Sequence, residues 1–310
     1  MITVFTPAYN RGYVLERLFD SLQKQTCKDF EWLVIDDGST DETKDLLSSF
    51  AQRADFPMRY RRQKNSGKHV AINRGAQLAK GEWFFIVDSD DWLPSDSIEV
   101  NSRYLEQIAD DPAFAGVSGV CTRADGSFLA GPGKTLDNLT RKVKAKFSLE
   151  YIDATSQDYR TVYHMPGDRA EIVRTQLVRE TPFPVFPGER FVAEYYLWQS
   201  LSERGLKLRW FNTPTYCRDY LEDGLTSNMG EIMKKSPQGR AFVDNFTLGS
   251  HAPLVMKLSS AVNYTRYGRL AGISLISLFV KCACKPLFMV GLPVALVLPL
   301  HGGENDYLTV

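Results

Sequence analysis

The chain has 310 residues, enough for one large α/β domain with an appendage or for two modest domains. Apolar residues make up 44% and charged residues 24%, which is ordinary for a globular protein and excludes wholesale disorder. Lysine plus arginine and aspartate plus glutamate balance at 37 each, so bulk charge gives no case for nucleic-acid binding.

The first predicted element is a strand at residues 2–5, followed by a polar loop at residues 6–12 and a helix. Leu15, Leu18 and Leu22 are spaced at i, i+3 and i+7, which places them on one face of that helix. The N-terminus therefore reads as a β-loop-α unit.

Two further units repeat the pattern. A strand at residues 31–35 ends at Asp36 and Asp37, and two acids directly off a buried strand predict a ligand contact, with Asp37 as the candidate. The third unit has a strand at residues 58–62 and a helix that opens beside Lys68. A helix N-terminus with a lysine beside it is a ready anion site.

The central predicted strand, Trp83 to Val87, stops at three carboxylates, Asp88, Asp90 and Asp91. Open α/β sheets bind ligands at the carboxyl ends of their strands, and neighbouring carboxylates repel each other unless a cation compensates. Oxygen ligands of this kind suit Mg²⁺ or Mn²⁺. The alternative is a solvated turn that caps the helix after Pro94.

Four motifs, taken in order, resemble those of the family 2 glycosyltransferases. They are Thr6-Pro7-Ala8-Tyr9-Asn10-Arg11, Val34-Ile35-Asp36-Asp37-Gly38-Ser39-Thr40-Asp41, Asn65-Ser66-Gly67 with Asn73 and Gly75, and Gly81-Glu82 leading to Asp88-Ser89-Asp90-Asp91. The resemblance covers roughly the first 120 residues. It implies the GT-A fold, an α/β architecture with a Rossmann-like, mostly parallel central sheet flanked by helices, and transfer from a nucleotide-sugar with inversion.

The resemblance also implies where the donor nucleotide binds. The nucleoside pocket would be lined by Thr6, Pro7, Ala8 and Tyr9. Asp37 would hold the base, commonly uracil, and Lys68 would lie near the base or a phosphate. The expected donor is a UDP-sugar that supplies a hexosyl or N-acetylhexosaminyl group.

A metal site is implied by the same resemblance. Asp88 and Ser89 would approach the ribose or the donor sugar, Asp90 would be the direct ligand in the DxD-type motif, and Asp91 is the alternative ligand. The expected ion is Mn²⁺ or Mg²⁺. Arg218 is a candidate phosphate contact, with an ordinary buried or surface role as the alternative.

Inverting transfer needs a carboxylate that takes the proton of the acceptor hydroxyl. In the family an acidic pair, usually Glu-Asp, precedes a Leu-Trp or similar pair, and its second acid is the base. Alignment on Leu197-Trp198 implies that Glu194 is the base, although Ala193 stands where the first acid is usual. Glu189 is the alternative, and either acid could instead serve only as a helix N-terminal residue.

The predicted domain organisation has two parts. Residues 1–220 form the GT-A domain, with a nucleotide-sugar-binding half at residues 1–122 and an acceptor half at residues 123–220. Residues 221–310 form a lid loop and an apolar, basic helical extension.

The extension has no acidic residue between Asp244 and Glu304, while five basic residues lie among apolar runs. Lysines and prolines interrupt these runs, so a simple membrane span is not favoured. We expect residues 257–300 to contact an anionic membrane surface as an interfacial or re-entrant anchor. The alternative is a helical tail that packs on the domain or on a second subunit.

The five scattered cysteines form no CxxC pair, and no leader is recognised before the first strand. These features predict a cytoplasmic protein, peripheral or monotopic at the inner face of the plasma membrane.

The predicted function is transfer of a single sugar from a UDP-sugar to a hydroxyl acceptor, with a lipid-linked saccharide of capsule, O-antigen or exopolysaccharide assembly as the acceptor class. One alternative is a catalytically silent nucleotide-sugar-binding membrane scaffold. Another is a sugar nucleotidylyltransferase, which the single glycine in the loop at residues 6–12 disfavours.

Overall fold

The computed structural model describes residues 1–129, 145–219 and 228–297. Residues 221–227 of the predicted lid loop lie outside the described residues. The strands are β1 (Ile2–Ala8), β2 (Phe30–Asp36), β3 (Met58–Arg62), β4 (Trp83–Ile86), β5 (Phe114–Thr122), β6 (Tyr151–Ala154), β7 (Arg169–Arg174) and β8 (Lys207–Cys217).

Helices α1 to α6 flank these strands, and α7 to α12 follow mainly toward the C-terminus. The first group is α1 (Gly12–Gln23), α2 (Thr43–Arg53), α3 (Lys68–Leu78), α4 (Ser97–Glu106), α5 (Ser156–Thr161) and α6 (Thr175–Glu180). The second group is α7 (Tyr195–Glu203), α8 (Met229–Lys235), α9 (Pro237–Gly249), α10 (Leu254–Leu270), α11 (Leu275–Lys281) and α12 (Lys285–Val297).

The strands form one sheet of order β3-β2-β1-β4-β7-β5-β8-β6. Strands β3, β2, β1 and β4 are mutually parallel, as are β5 and β8. Strand β7 is antiparallel to both β4 and β5, and β6 is antiparallel to β8. The predicted mostly parallel sheet is confirmed, but the two antiparallel strands, β6 and β7, were not predicted.

The three N-terminal β-loop-α units are confirmed, and their helices pack as the apolar spacing predicts. Leu15, Leu18 and Leu22 of α1 are fully buried. Phe19 of α1 stacks on Phe50 of α2 with ring centroids 4.4 Å apart. The apolar side chains of these units fill the core, and polar residues follow the ends of their strands at one edge of the sheet.

The chain divides into two compact units. The sheet unit comprises Met1–Pro182 and Arg204–Asp219, and the helical unit comprises Phe183–Glu203 with the C-terminal residues from 220 onward. The sequence-based division placed all of residues 1–220 in one domain, whereas Phe183–Glu203 groups with the C-terminal helices. Glu189 and Glu194 therefore belong to the helical unit.

The helical unit is built around α10. Ala261, Tyr264 and Tyr267 of this helix are buried in one apolar cluster with Leu278 and Phe288. Two glycines permit the close packing of their helices, because a Cβ at Gly268 would lie 2.4 Å from Leu278 Cδ2 and one at Gly291 would lie 2.8 Å from Ala261 Cβ. Across the described residues, no helix combines the length and the apolar character needed to cross a membrane.

Candidate active site

Three carboxylates lie together just beyond the end of β4. The ligand oxygens of Asp88, Asp90 and Asp91 are all within 4.8 Å of one another. Burial, together with the charge of Asp88, raises the pKa of Asp90 above its usual value. Burial raises the pKa of Asp91 to about 7, an effect that the charge of Arg218 opposes and that of Asp88 reinforces. The cluster therefore has unfavourable electrostatics that a cation would relieve.

Two cationic side chains contact the cluster. Lys68 Nζ lies 2.6 Å from Asp88 Oδ1. The Arg218 guanidinium lies 3.0 Å from Asp91 Oδ2, 3.7 Å from Asp88 Oδ2 and 3.1 Å from Asp168 Oδ2. Although burial alone would raise it, Lys68 and then Arg218 hold the pKa of Asp88 below its usual value. The site therefore presents positive charge directly beside its carboxylates.

Asp91 is held by a hydrogen bond from Tyr216 as well as by its ion pair with Arg218. Tyr216 OH donates a 2.6 Å hydrogen bond to Asp91 Oδ2 and accepts one of 3.0 Å from the Asp88 backbone N–H. Burial and the charges of Asp91 and Asp88 raise the pKa of Tyr216 well above its usual value, so the phenol stays a donor. Asp90, in contrast, has no salt-bridge partner among the residues described, which leaves its carboxylate available to a ligand.

The backbone of the acidic turn is anchored by Arg17 of α1. The Arg17 guanidinium donates to the Asp90 carbonyl and to Asp219 Oδ2, the latter at 3.3 Å, and its Cζ lies 3.9 Å from the centroid of the Trp92 ring. Trp92 and Cys217 exchange two backbone hydrogen bonds, of 3.0 and 2.8 Å. The turn that carries the acids is thus held from α1 and from the end of β8.

Asp37 is buried and its carboxylate organises the loop before α3. Its Oδ1 accepts from Gln63 Nε2 at 2.8 Å and from the Ser66 N–H at 2.9 Å, and its Oδ2 accepts from the Gly67 N–H at 2.7 Å. Gly67 has φ 97°, a conformation that favours glycine, and Lys68 begins α3. Asp37 therefore positions the start of the helix that presents Lys68.

The residues predicted to line the nucleoside pocket do not share one environment. The Thr6 side chain is fully buried, and its Oγ1 accepts a 3.0 Å hydrogen bond from Trp32 Nε1, so it faces the core and not a pocket. Ala8 is buried, and Pro7 is partly buried. Tyr9 is 44% exposed, which makes it the residue of this set whose side chain a base could reach.

Ser89, predicted to accompany Asp88 beside the donor, is buried within the acidic turn. The predicted metal ligands Asp90 and Asp91 are therefore brought together with Asp88 and Lys68, whereas the Ser89 side chain is withdrawn from solvent. Its backbone still forms part of the turn that carries the acids.

The two candidate bases occupy different positions in the helical unit. Glu189 accepts hydrogen bonds from the backbone N–H groups of Gln238 and Gly239, both at 2.8 Å, at the N-terminus of α9. This contact satisfies helix amides and gives Glu189 a structural role. Glu194 is partly buried and directly precedes α7, with its carbonyl accepting from the Leu197 N–H at 2.9 Å.

Sequence reasoning missed Arg17, Asp168 and Tyr216. Tyr216 was missed because it lies beyond Pro214 near the end of β8, and a proline usually marks the limit of a strand. The alternation of Tyr216 with Arg218 past that proline is the signal that could have revealed the longer strand.

Residues 3–139 match the family described as Glycosyl transferase family 2. This segment of the chain, somewhat less than half of it, is similar to the family 2 glycosyltransferase domain. A PGL/p-HBAD biosynthesis glycosyltransferase of Mycobacterium tuberculosis is 39% identical over 93 residues, which are 30% of this chain and 36% of that protein. The match thus spans little more than a third of that curated relative. The putative teichuronic acid biosynthesis glycosyltransferase TuaG of Bacillus subtilis is 25% identical over 76% of this chain and 85% of its own length.

Two solved structures share the fold of this chain. Residues 1–349 of TarS from S. aureus, in complex with UDP-GlcNAc, are 18% identical with a TM-score of 0.53, over 95% of this chain and 80% of that one. The mannosyltransferase PcManGT from Pyrobaculum calidifontis, in complex with GDP-Man and Mn²⁺, is 20% identical with a TM-score of 0.56, over 96% and 81%. The predicted GT-A fold is confirmed.

Proposed function

We propose that this protein is an inverting glycosyltransferase that moves one sugar from a UDP-sugar to a hydroxyl acceptor. The observation that carries the proposal is the cluster of Asp88, Asp90 and Asp91 with Lys68 and Arg218 at the carboxyl end of the parallel strands. Open α/β sheets bind ligands at this edge. The family 2 domain supplies the reaction class.

The cluster has the donor chemistry of a Mn²⁺ or Mg²⁺ site. All three candidate ligands are carboxylates, and burial, together with the charge of Asp88, raises the pKa values of Asp90 and Asp91 despite the neighbouring cations. Asp90 would be the first ligand, with Asp91 as the second. Once bound, the ion would stabilise the negative charge of the departing nucleoside diphosphate.

Lys68 and Arg218 supply the protein's own positive charge for the diphosphate. Lys68 stands at the N-terminus of α3, and the dipole at a helix N-terminus favours an anion. Arg218 is already surrounded by carboxylates, which raise its pKa further above its usual value, so it stays charged. Both side chains therefore supply positive charge that can bind phosphate oxygens.

We assign the base to Glu194. Direct attack by the acceptor hydroxyl on the anomeric carbon forms the new C–O bond as the bond to the diphosphate breaks, and the hydroxyl proton passes to the carboxylate. A single displacement inverts the anomeric configuration. The contacts of Glu189 with the α9 amides support this choice, since its carboxylate already serves as a helix cap.

The donor and acceptor classes rest on the relatives. TuaG is named for teichuronic acid biosynthesis, and TarS was crystallised with UDP-GlcNAc. These names favour a UDP-hexose or UDP-N-acetylhexosamine donor and a saccharide acceptor. A lipid-linked saccharide at the cytoplasmic face of the membrane fits an apolar, basic C-terminus.

The first test is a thermal-shift panel of UDP, GDP, CDP and TDP, each with Mn²⁺, Mg²⁺ or EDTA. A ligand that binds the native state raises its apparent stability by mass action. We expect a shift with UDP that depends on the metal. No shift with any nucleotide would overturn the proposed donor site.

A further inference from the structure

Helix α12 is apolar on both of its faces. Phe288, Gly291 and Ala295 are buried, at the i, i+3 and i+7 spacing of one helix face. Leu287 and Leu292 are half-buried, and seven apolar positions are exposed, namely Pro286, Met289, Val290, Pro293, Val294, Leu296 and Val297. A surface helix of a globular protein normally turns a polar face outward. Between Pro286 and Val297 this helix has no polar or charged side chain to present.

Helix α11 has the same property. Leu278 is buried, while Ile276 is 78% exposed and Val280 is 65% exposed. Their i, i+4 spacing places Ile276 and Val280 on one face of the helix. Helix α12 follows after a link of three residues, and the exposed apolar residues of the two helices are here termed the α11–α12 surface.

Exposed positive charge borders this surface. Lys281 ends α11 and Lys285 begins α12, and both side chains are exposed. No acidic residue occurs between Asp244 and Glu304, so nothing in this part of the sequence neutralises them. The combination of apolar side chains with flanking lysines complements a layer that is anionic outside and apolar beneath.

We propose that the α11–α12 surface docks on an anionic phospholipid bilayer. Ile276, Val280 and Val290 enter the boundary between head groups and acyl chains, and Lys281 and Lys285 contact the head-group phosphates. A second copy of the chain is the less suitable occupant. A two-fold contact uses the same patch on both partners and would bring the lysines of each copy together without a compensating acid.

This inference deepens the proposed function, since it places the enzyme where a lipid-linked acceptor would lie, but bilayer binding is measured apart from sugar transfer. The experiment is flotation of the full chain with vesicles of phosphatidylcholine, or of phosphatidylcholine mixed with phosphatidylglycerol. We expect binding to the anionic vesicles, weaker binding to the neutral ones, and release as salt increases.

The variant Val280→Asp/Val290→Asp should lower the partition coefficient by at least about tenfold, because each change removes buried apolar area and adds like charge to an anionic surface. Lys281→Gln/Lys285→Gln should reduce binding to anionic vesicles by about fivefold for each lysine and leave binding to neutral vesicles unchanged. The matched control is Val162→Asp, an exposed valine in the sheet unit that is 62% exposed and should keep full binding.

Several outcomes would overturn the proposal. One is the absence of binding to anionic vesicles at low salt, and another is equal binding by wild type and Val280→Asp/Val290→Asp. A concentration-dependent dimer that the aspartate variant abolishes, without vesicle binding, would assign the surface to a second copy. Thermal shifts with UDP and Mn²⁺ report separately on the donor site. The lysine variant and the salt series keep the proposal testable if the aspartate variant misfolds.

Discussion

The three acids after β4 differ in their partners, although the sequence presents them as one run. Asp88 pairs with Lys68, and Asp91 with Arg218 and Tyr216, whereas Asp90 has no salt bridge within the described part of the chain. The motif was enough to select these residues as ligands. The different contacts of the three acids depend on side chains far away in sequence, which a local sequence pattern does not reveal.

Asp90→Asn should remove the metal-dependent stabilisation by UDP while leaving the apo protein folded. Because burial and Asp88 raise the pKa of Asp90, its charge is unfavourable in the apo state, and a neutral amide should raise the apo protein's free energy of unfolding. Thermal unfolding with and without UDP and Mn²⁺ measures both effects. Asp125→Asn, at a site remote from this turn in sequence, is the control. If Asp90→Asn were stabilised by UDP and Mn²⁺ as much as wild type, Asp90 would not belong to the metal site.

Arg17 is a positioning residue, since it holds the backbone carbonyl of Asp90 and covers the Trp92 ring. Arg17→Met should lower the affinity for Mn²⁺ by about tenfold, as loss of a contact behind a metal ligand typically does. Electron paramagnetic resonance of Mn²⁺ measures this affinity without any need for sugar transfer. Arg53→Met is the matched control, because Arg53 also lies over an aromatic ring, Phe19, at 4.8 Å. Equal Mn²⁺ affinity in both variants would contradict the assignment.

Glu171 on β7 predicts a pH dependence of stability. Burial raises its pKa to about 7 from 4.5, opposed by Arg160 and Arg169 and reinforced by Asp168. A carboxyl group with a raised folded-state pKa stabilises the fold fully below pH 4.5, and this stability is lost as pH rises to about 7. Glu171→Gln should therefore be more stable than wild type at pH 8, by on the order of 2 kcal/mol, and similar at pH 4.

Urea unfolding of wild type and Glu171→Gln at several pH values provides the measurement. Asp91 also has a raised pKa, of about 7, so wild type alone reports both groups, and the difference between the two proteins isolates Glu171. A difference in unfolding free energy that stays constant from pH 4 to pH 8 would show that Glu171 does not titrate in this range.

At the scale of elements, the sequence predicted the parallel strands well and the antiparallel ones poorly. Strand β3 has the predicted bounds, because its unit follows the β-loop-α pattern. Strand β7 was missed because charged residues interrupt its apolar pattern. Arg169 is buried, and its guanidinium donates a 3.0 Å hydrogen bond to the Phe211 carbonyl. The Arg174 guanidinium donates one of 2.7 Å to the Ala109 carbonyl. These partners come from distant segments, so the strand's burial depends on contacts that a local pattern does not contain.

The two acids near α7 and α9 can be separated by paired variants. Glu194→Gln should lower transfer by about 10²–10⁴-fold, the usual contribution of a general base, with unfolding unchanged. Glu189→Ala should retain transfer but lower unfolding stability by about 1 kcal/mol, because it removes the cap of the α9 amides. Rates with a UDP-sugar, together with urea unfolding, distinguish the roles. The reverse pattern would make Glu189 the base.

At the scale of the whole molecule, the predicted domain boundary at residue 220 left Phe183–Glu203 in the first domain, whereas this segment groups with the C-terminal helices. Aromatic contacts account for this grouping. The Tyr196 ring centroid lies 5.1 Å from that of Phe242 and 5.2 Å from that of Phe246. An apolar residue in a short helix indicates burial but not the partner that buries it, so the sequence could not define this boundary.

The two units predict two separate patterns of hydrogen exchange. UDP with Mn²⁺ should slow exchange at the Asp37-bound loop of residues 63–67 and at the acidic turn, because a ligand raises the free energy of local opening where it binds. Anionic vesicles should slow exchange in α11 and α12 instead. Mass spectrometry of peptides from each region measures both. Val280→Asp/Val290→Asp should lose only the vesicle effect, and Asp90→Asn only the nucleotide effect. Protection of α11 and α12 by UDP alone, or of the acidic turn by vesicles alone, would contradict this separation of donor binding from membrane docking.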